Sequence, residues 1–119
     1  VRRPYAGRMT LGYLPETTDR AQADALPGLT VIQFGTNWCG YCRAAEPHIE
    51  RALAEVDDLT RIKVEDGKGR PLGRSYRVKL WPTLVFLRDG EEVARVVRPW
   101  SAEDLAPAVA ALQAVPDRR

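Results

Sequence analysis

Cys39 and Cys42 are the only cysteines in the chain, and they lie between an apolar stretch and a stretch with helical periodicity. At the start of a helix, positions i and i+3 lie on one face, so the two sulfurs can form a disulfide or separate as a dithiol. The first sulfur also meets the positive end of the helix, where unpaired N–H groups favour thiolate over thiol. The pair is therefore a candidate for thiol–disulfide exchange.

Two bland explanations of the cysteine pair are disfavoured. A structural disulfide that closes so short a loop would stabilise the fold little. A zinc site needs about four ligands, and one cysteine pair with His48, the single histidine, does not complete it within one chain. Metal bridging between two chains stays open, and His48 itself is expected at the rim rather than as a catalytic base. We expect no metal, and no cofactor beyond the dithiol.

The composition fits a single folded domain. At 119 residues, with 45% hydrophobic and 29% charged residues, the chain is long enough for one layered core. The net charge of +2 is small and acidic residues are interleaved with the arginines, so nucleic-acid binding is not expected. Apolar runs are too short to cross a bilayer, so this segment is not expected to enter a membrane.

The compartment stays open. The chain begins at Val1 rather than at a methionine, so a leader or an anchor could have preceded it. A cytoplasmic location is favoured, and a periplasmic location would follow if a leader had been removed before Val1.

Periodicity and turn signals divide the chain into alternating strands and helices. We expect a domain at residues 9–113 between flexible tails at 1–8 and 114–119. The order is βαβαβαββα, which indicates an α/β protein with a mixed sheet covered by helices on both faces. The predicted strands are residues 9–14, 29–34, 59–66, 83–87 and 93–97, and the predicted helices are residues 16–26, 41–56, 71–76 and 101–113.

Local signals predict how three of these elements begin and face. Thr17 or Thr18 is the expected N-cap of the first helix, and Ser101 that of the last, with Asp104 in the acidic position of a capping box. Trp100 is expected to pack at the start of the last helix. In the strand at 59–66, alternation predicts that the apolar residues point inward and the charged ones point to solvent: Ile62 and Val64 against Arg61, Lys63 and Glu65.

Four features together resemble the thioredoxin family over residues 9–112. The run Trp38-Cys39-Gly40-Tyr41-Cys42 is similar to the family's active-site motif. Pro47 stands where the family has a helix-kinking proline, Trp81-Pro82-Thr83 is similar to its cis-proline segment, and Asp89-Gly90 follows at the expected hairpin turn. The resemblance implies the thioredoxin fold, with a central mixed sheet flanked by helices.

The resemblance also implies a reaction on protein disulfides. Cys39 would attack a substrate disulfide, and Cys42 would resolve the mixed disulfide, so that the two form the redox-active disulfide. The expected partners are disulfide-containing proteins and an upstream reductase or oxidant, and the chain is expected to be a monomer. The expected substrate groove surrounds the sulfurs and consists of Trp38, Gly40, Tyr41, Trp81 and Pro82.

Three residues depart from the family pattern. Gln33 stands where many thioredoxins have a buried aspartate, so water or a carboxylate such as Glu65 would have to take the proton from Cys42. Tyr41 replaces a common proline, and Gly40-Tyr41 is similar to the dipeptide of bacterial periplasmic disulfide isomerases. Arg98 falls near a family glycine, and we expect it to point to solvent rather than to stabilise Cys39.

The sequence leaves two questions open. Reductase and oxidase are both compatible with the motif, whereas isomerase is the least favoured because the separate dimerisation region of two-domain isomerases is missing from the sequence. A rival hypothesis is a non-enzymatic peptide-binding module, or a redox sensor, built on the same groove.

Overall fold

A mixed four-stranded sheet forms the centre of the fold. The computed structural model describes residues 12–114. The strands are β1 (Leu29–Gly35), β2 (Leu59–Glu65), β3 (Thr83–Arg88) and β4 (Glu91–Val97). Their order across the sheet is β2-β1-β3-β4, with β1 parallel to β2 and the other two pairs antiparallel. The predicted mixed sheet is therefore confirmed.

Helices cover both faces of this sheet. They are α1 (Arg20–Asp24), α2 (Gly40–Leu53), α3 (Pro71–Ser75) and α4 (Ala106–Gln113), the last preceded by a 3-10 turn at Ala102–Leu105. Helices α2 and α4 pack on one face and α1 and α3 on the other. Within residues 12–114, no helix is long and apolar enough to cross a membrane. The largest fully buried apolar side chains are Phe34, Phe86, Ile32, Ile49, Leu53, Leu59, Leu72, Leu84, Leu87, Leu105 and Leu112.

The beginning of the domain differs from the prediction. The predicted tails at 1–8 and 115–119, and residues 9–11 of the predicted first strand, lie outside the described residues. Leu14 makes a single parallel bridge to Val64 at the outer edge of β2. The first helix is only five residues long, and its N-cap is Asp19 rather than Thr17 or Thr18. Asp19 is favoured because it exchanges hydrogen bonds with Gln22, which completes a reciprocal capping box.

The last two strands and the closing helix follow the predicted signals closely. Asp89 and Gly90 have φ values of 52° and 83°, which suits the hairpin turn predicted between β3 and β4. Asp104 accepts the N–H of Ser101, as predicted for the closing helix. The first turn of that helix is 3-10 and precedes Pro107, which has no N–H to donate to an α-helical turn.

The predicted exposure of β2 is wrong at Arg61. Its side chain is only 2% exposed, although Ile62 and Val64 pack inward as predicted. The reason is that both faces of β2 are covered, so the side chains opposite Ile62 and Val64 meet α2 instead of solvent. A strand with charged residues on alternate positions can thus be buried on both sides when the charges find partners.

Candidate active site

The two cysteines lie where β1 gives way to α2. Gly35 ends the strand, and Cys39 is the N-cap of the helix, with an extended backbone and a side chain that accepts the N–H of Cys42 at 3.2 Å. Both thiols are free. Cys39 is 8% exposed and Cys42 only 1%, because Cys42 lies in the first helical turn and points into the fold. The sulfur within reach of another molecule is therefore that of Cys39.

Tyr13 packs against this pair, and sequence reasoning missed it. Its backbone N–H donates to Oδ1 of Asn37 at 2.7 Å, and Nδ2 of Asn37 donates back to the Tyr13 carbonyl at 3.1 Å. The Tyr13 side chain forms one buried cluster with Cys39 and Cys42. Gly35 leaves the space for this contact, since a Cβ there would lie within 3.0 Å of both the Cys42 sulfur and the Tyr13 ring. The two reciprocal bonds to Asn37 thus fix Tyr13 beside the loop that carries the cysteines.

A directed hydrogen bond joins Tyr13 to Cys42. Nε2 of Gln33 donates to the phenol oxygen of Tyr13, and an amide nitrogen has no acceptor to offer in return. The Tyr13 hydroxyl therefore donates elsewhere, and its partner is the sulfur of Cys42. Burial, followed by the contact with Cys39, raises the pKa of Cys42 to about 12, and the Tyr13 hydrogen bond partly opposes that rise. Burial also raises the pKa of Tyr13 itself, so the phenol remains a donor.

Gln33 is held in this orientation by a charged network on its other side. Its Oε1 accepts from Nε and Nη2 of Arg61 at 3.1 and 2.6 Å. Arg61 also bonds Glu46 at 2.9 Å and Glu50 at 2.6 Å, and Lys63 contacts Glu46 at 3.2 Å. The Gln33 amide thus faces two donors with its oxygen and two acceptors, Tyr13 and Glu46, with its nitrogen.

The charges of the network divide unequally over its two carboxylates. Burial would raise the pKa of Glu46, but the charges of Arg61 and Lys63 outweigh it and hold that pKa below its usual value. Burial and the hydrogen bond with Glu46 raise the pKa of Glu50. The expectation for Glu65 is not met, because its carboxylate pairs with Arg70 at 3.1 Å. The carboxylate that reaches Gln33 is Glu46.

Two aromatic side chains flank the pair on the side of the proline loop. The Trp81-Pro82 peptide bond is cis. Trp81 packs against the cysteine cluster and donates its Nε1–H to Asp66 at 2.9 Å. Trp38 is 71% exposed and meets Trp81 edge to face, with ring centroids 5.7 Å apart. Both the packing role and the platform role weighed for Trp81 are thus compatible with its place.

Arg98 joins the two sides of the groove, and the expectation that it points to solvent is wrong. Its Nε donates to the Trp81 carbonyl at 2.8 Å, and its guanidinium lies 3.8 Å from the centroid of the Tyr41 ring. Trp100 does not pack at the helix start as expected, since it is 73% exposed and touches Tyr41 edge to face. These contacts place a small aromatic surface beside Cys39, with His48 at its rim.

Within residues 12–114, no group of three His, Cys, Asp or Glu side chains is arranged to hold a metal ion. The chemistry available at the site is that of the two sulfurs and of the proton donors and acceptors around them.

Comparison with known proteins gives consistent relatives. A family model described as Thioredoxin matches residues 18–111. The solved structure of thioredoxin 2 from Pseudomonas aeruginosa PAO1 in its reduced form is 52% identical, with a TM-score of 0.77 over 86% of this chain and 94% of that one. Thioredoxin from Chlamydia pneumoniae is 39% identical over 59% of this chain and 69% of its own length. Thioredoxin H2-1 from Oryza sativa subsp. japonica is 38% identical, and the match spans half of its length.

Proposed function

This chain belongs to the thioredoxin family of thiol:disulfide oxidoreductases, and we propose that it reduces protein disulfides with Cys39 as the attacking sulfur and Cys42 as the resolving sulfur. The observation that supports these roles is the difference in position of the two thiols. Cys39 caps the helix at the protein surface, whereas Cys42 lies beneath it in the first turn.

In the first step, the Cys39 thiolate attacks one sulfur of the substrate disulfide. A mixed disulfide forms between Cys39 and that sulfur, and the other substrate sulfur leaves as a thiolate that takes up a proton. The N–H of Cys42, which points at the Cys39 sulfur, supports negative charge there before the attack.

In the second step, Cys42 loses its proton and attacks the Cys39 sulfur. The bond between Cys39 and the substrate breaks, the second substrate thiolate leaves, and two electrons have passed to the substrate as the Cys39–Cys42 disulfide forms. Because burial raises the pKa of Cys42, this step depends on whatever stabilises its thiolate. Tyr13 supplies such a group, since its hydroxyl donates to the Cys42 sulfur.

We assign the direction of electron flow as reduction. A strongly oxidising dithiol is one whose reduced form is stabilised, as when cations gather around the attacking thiolate. Arg98, the cation nearest in sequence to the family's groove glycine, is instead engaged with Trp81 and Tyr41. The disulfide formed in each cycle would be reduced by a reductase, which is the general partner of thioredoxins.

The test combines two variants with one potential measurement. Cys39→Ser should abolish catalysed reduction of a protein disulfide, while Cys42→Ser should still attack and accumulate the mixed disulfide, detected by mass. The reduction potential, from equilibration with glutathione, is expected near about −270 mV, whereas a value of about −120 to −180 mV would indicate an oxidant or isomerase. Unchanged reduction by Cys39→Ser would refute the assignment of the nucleophile.

A further inference from the structure

One stretch of the chain carries only positive charge. Residues 67–80 contain Lys68, Arg70, Arg74, Arg77 and Lys79 and no acidic residue. All five side chains line one cavity of about 660 Å³, together with Asp66 and Trp81. The interleaving of charges that holds for the sequence as a whole therefore fails at this place on the surface.

Most of these cations have no acidic partner. Arg70 pairs with Glu65, but within residues 12–114 no carboxylate forms an ion pair with Lys68, Arg74, Arg77 or Lys79. These four residues are exposed at the cavity. Their charges are therefore available to another molecule.

The one acidic residue that lines the cavity is already engaged. Oδ2 of Asp66 accepts the indole N–H of Trp81 at 2.9 Å. The rest of its carboxylate lies against Gly73, where a Cβ would clash with it. Asp66 thus serves to position Trp81 and offsets little of the positive charge at the mouth of the cavity.

The backbone that carries two of these cations is well ordered. The N–H groups of Arg77 and Val78 donate to the carbonyls of Arg74 and Gly73, both at 2.9 Å. Arg77 has a φ of 59°, in the left-handed region that favours glycine at the end of a helix. A large cation at this position has a conformational cost, for which its contacts within residues 12–114 give no structural reason.

The cavity opens beside the dithiol. Trp81 lines the cavity and also packs against the cluster that contains Cys39 and Cys42. A substrate whose disulfide reaches Cys39 past Trp81 would bring its neighbouring residues over the cations.

The chemistry of the cavity suits an extended acidic chain better than a small anion. A small anion is held by convergent, desolvated donors, whereas Lys68, Arg74, Arg77 and Lys79 are exposed. Several exposed cations in a row attract a chain of like negative charges by complementarity of the electrostatic potential. We propose that this cavity binds acidic residues that flank the reactive disulfide of the substrate protein, and so selects acidic substrates. The inference rests on the proposed reduction of protein disulfides.

Three peptides with the same disulfide, flanked by Glu, Gln or Lys, test the proposal against the reduced wild-type protein. Reduction of the Glu peptide is expected to be about fivefold faster than that of the Gln peptide and slowest for Lys. The preference should shrink from about 0.01 M to about 0.15 M ionic strength, where the screening length falls from about 30 to about 8 Å.

Two variants identify the charges involved. The double variant Arg74→Gln, Arg77→Gly should lose the preference for the Glu peptide, and glycine suits the backbone at position 77, so folding is retained. Arg51→Gln is the control, because Arg51 is an exposed cation on α2, on the opposite face of the sheet. This control should keep all three rates.

Three outcomes would overturn the proposal: equal rates for the three peptides, an equal loss of preference in Arg51→Gln, or a preference that salt does not change. A single-stranded oligonucleotide that inhibits the wild type and not the double variant, without any peptide preference, would assign the cavity to nucleic acid instead. Failure of the wild type to reduce even the Gln peptide would refute the proposed function itself, which separates the two questions.

Discussion

Tyr13 and Cys42 meet over Gly35, and the hydroxyl of Tyr13 donates a hydrogen bond to the Cys42 sulfur. Gln33 determines this direction, because its amide N–H already occupies the phenol oxygen as an acceptor. The position that holds a carboxylic acid in many family members thus holds an amide here, which cannot take a proton but orients a group that can stabilise the thiolate.

Tyr13→Phe should slow the resolution of the mixed disulfide. A hydrogen bond to a charged group contributes about 1.5–3 kcal/mol, so its loss should raise the pKa of Cys42 by about one to two. Cys42 reacts as a thiolate, and below its pKa the rate of resolution rises with pH. The variant should therefore need a higher pH than the wild type for the same rate, measured by rapid acid quench and mass analysis of the mixed disulfide.

The matched control for that variant is Tyr76→Phe. Tyr76 is also buried, but its hydroxyl lacks a hydrogen-bond partner and it packs on the opposite face of the sheet. Its removal should leave the pH profile of resolution unchanged. Equal profiles for Tyr13→Phe and the wild type would contradict the role assigned to Tyr13.

Gly35→Ala and Gly40→Ala should have opposite effects on stability. A Cβ at Gly35 would collide with the Cys42 sulfur and the Tyr13 ring, so this variant should lose about 1–3 kcal/mol of unfolding free energy. A Cβ at Gly40 meets nothing within 4 Å, and alanine is the better residue in a helix, so stability should be equal or higher by up to about 1 kcal/mol. Urea unfolding of both variants checks the pair, and a neutral Gly35→Ala would disprove the close packing.

Arg61→Met should destabilise the fold by about 3 kcal/mol, because it leaves Glu46 and Glu50 without their shared buried cation. Without that charge, the pKa of Glu46 should rise above its unfolded value. The deficit relative to the wild type should then be larger at pH 8 than at about pH 5, where the carboxyl is partly protonated. Urea unfolding at the two pH values measures this change.

The comparison variant for that network is Arg95→Met, which removes the pair with Glu92 on β4, where both side chains are about a third exposed. Its cost should stay below about 1 kcal/mol and depend little on pH. Similar losses in the two variants would show that burial of Arg61 does not matter as argued.

Arg98 should separate the contribution of its side chain from that of its backbone. Its φ is 52°, and its side chain bonds the Trp81 carbonyl and covers Tyr41. Arg98→Ala loses the contacts and keeps the unfavourable φ, whereas Arg98→Gly loses the contacts and relieves about 1 kcal/mol of backbone cost. We expect the order of thermal stability to be wild type, then the glycine variant, then the alanine variant. An alanine variant as stable as the glycine variant would argue against this division.

Much of the fold could be predicted because its signals are local. The β-branched run before the cysteines and the turn at Asp89-Gly90 each depend on neighbours in sequence, and both appear where expected. Arg61 was misassigned because alternation alone does not tell whether the second face of a strand is covered. That depends on α2 and on its two glutamates, which the pattern of β2 does not contain.

The site was predictable only in part for the same reason. The spacing of Cys39 and Cys42 gave the chemistry, since both lie in one turn of one helix. Tyr13 and Glu46 reach the site through the tertiary fold, and Tyr13 comes from a segment without regular structure. The signals that could have suggested a close contact were Gly35 at the end of a buried strand and Asn37 before the first cysteine.

The clamp between Tyr13 and Asn37 also bears on where the working unit begins. The match to the family model starts at residue 18, so Tyr13 lies outside the part of the chain shared with the family. A shorter piece cut at that boundary would retain the sheet, the helices and both cysteines, and yet lose the hydroxyl that faces Cys42. The boundary of the common fold and the boundary of the complete catalytic apparatus are therefore different in this protein.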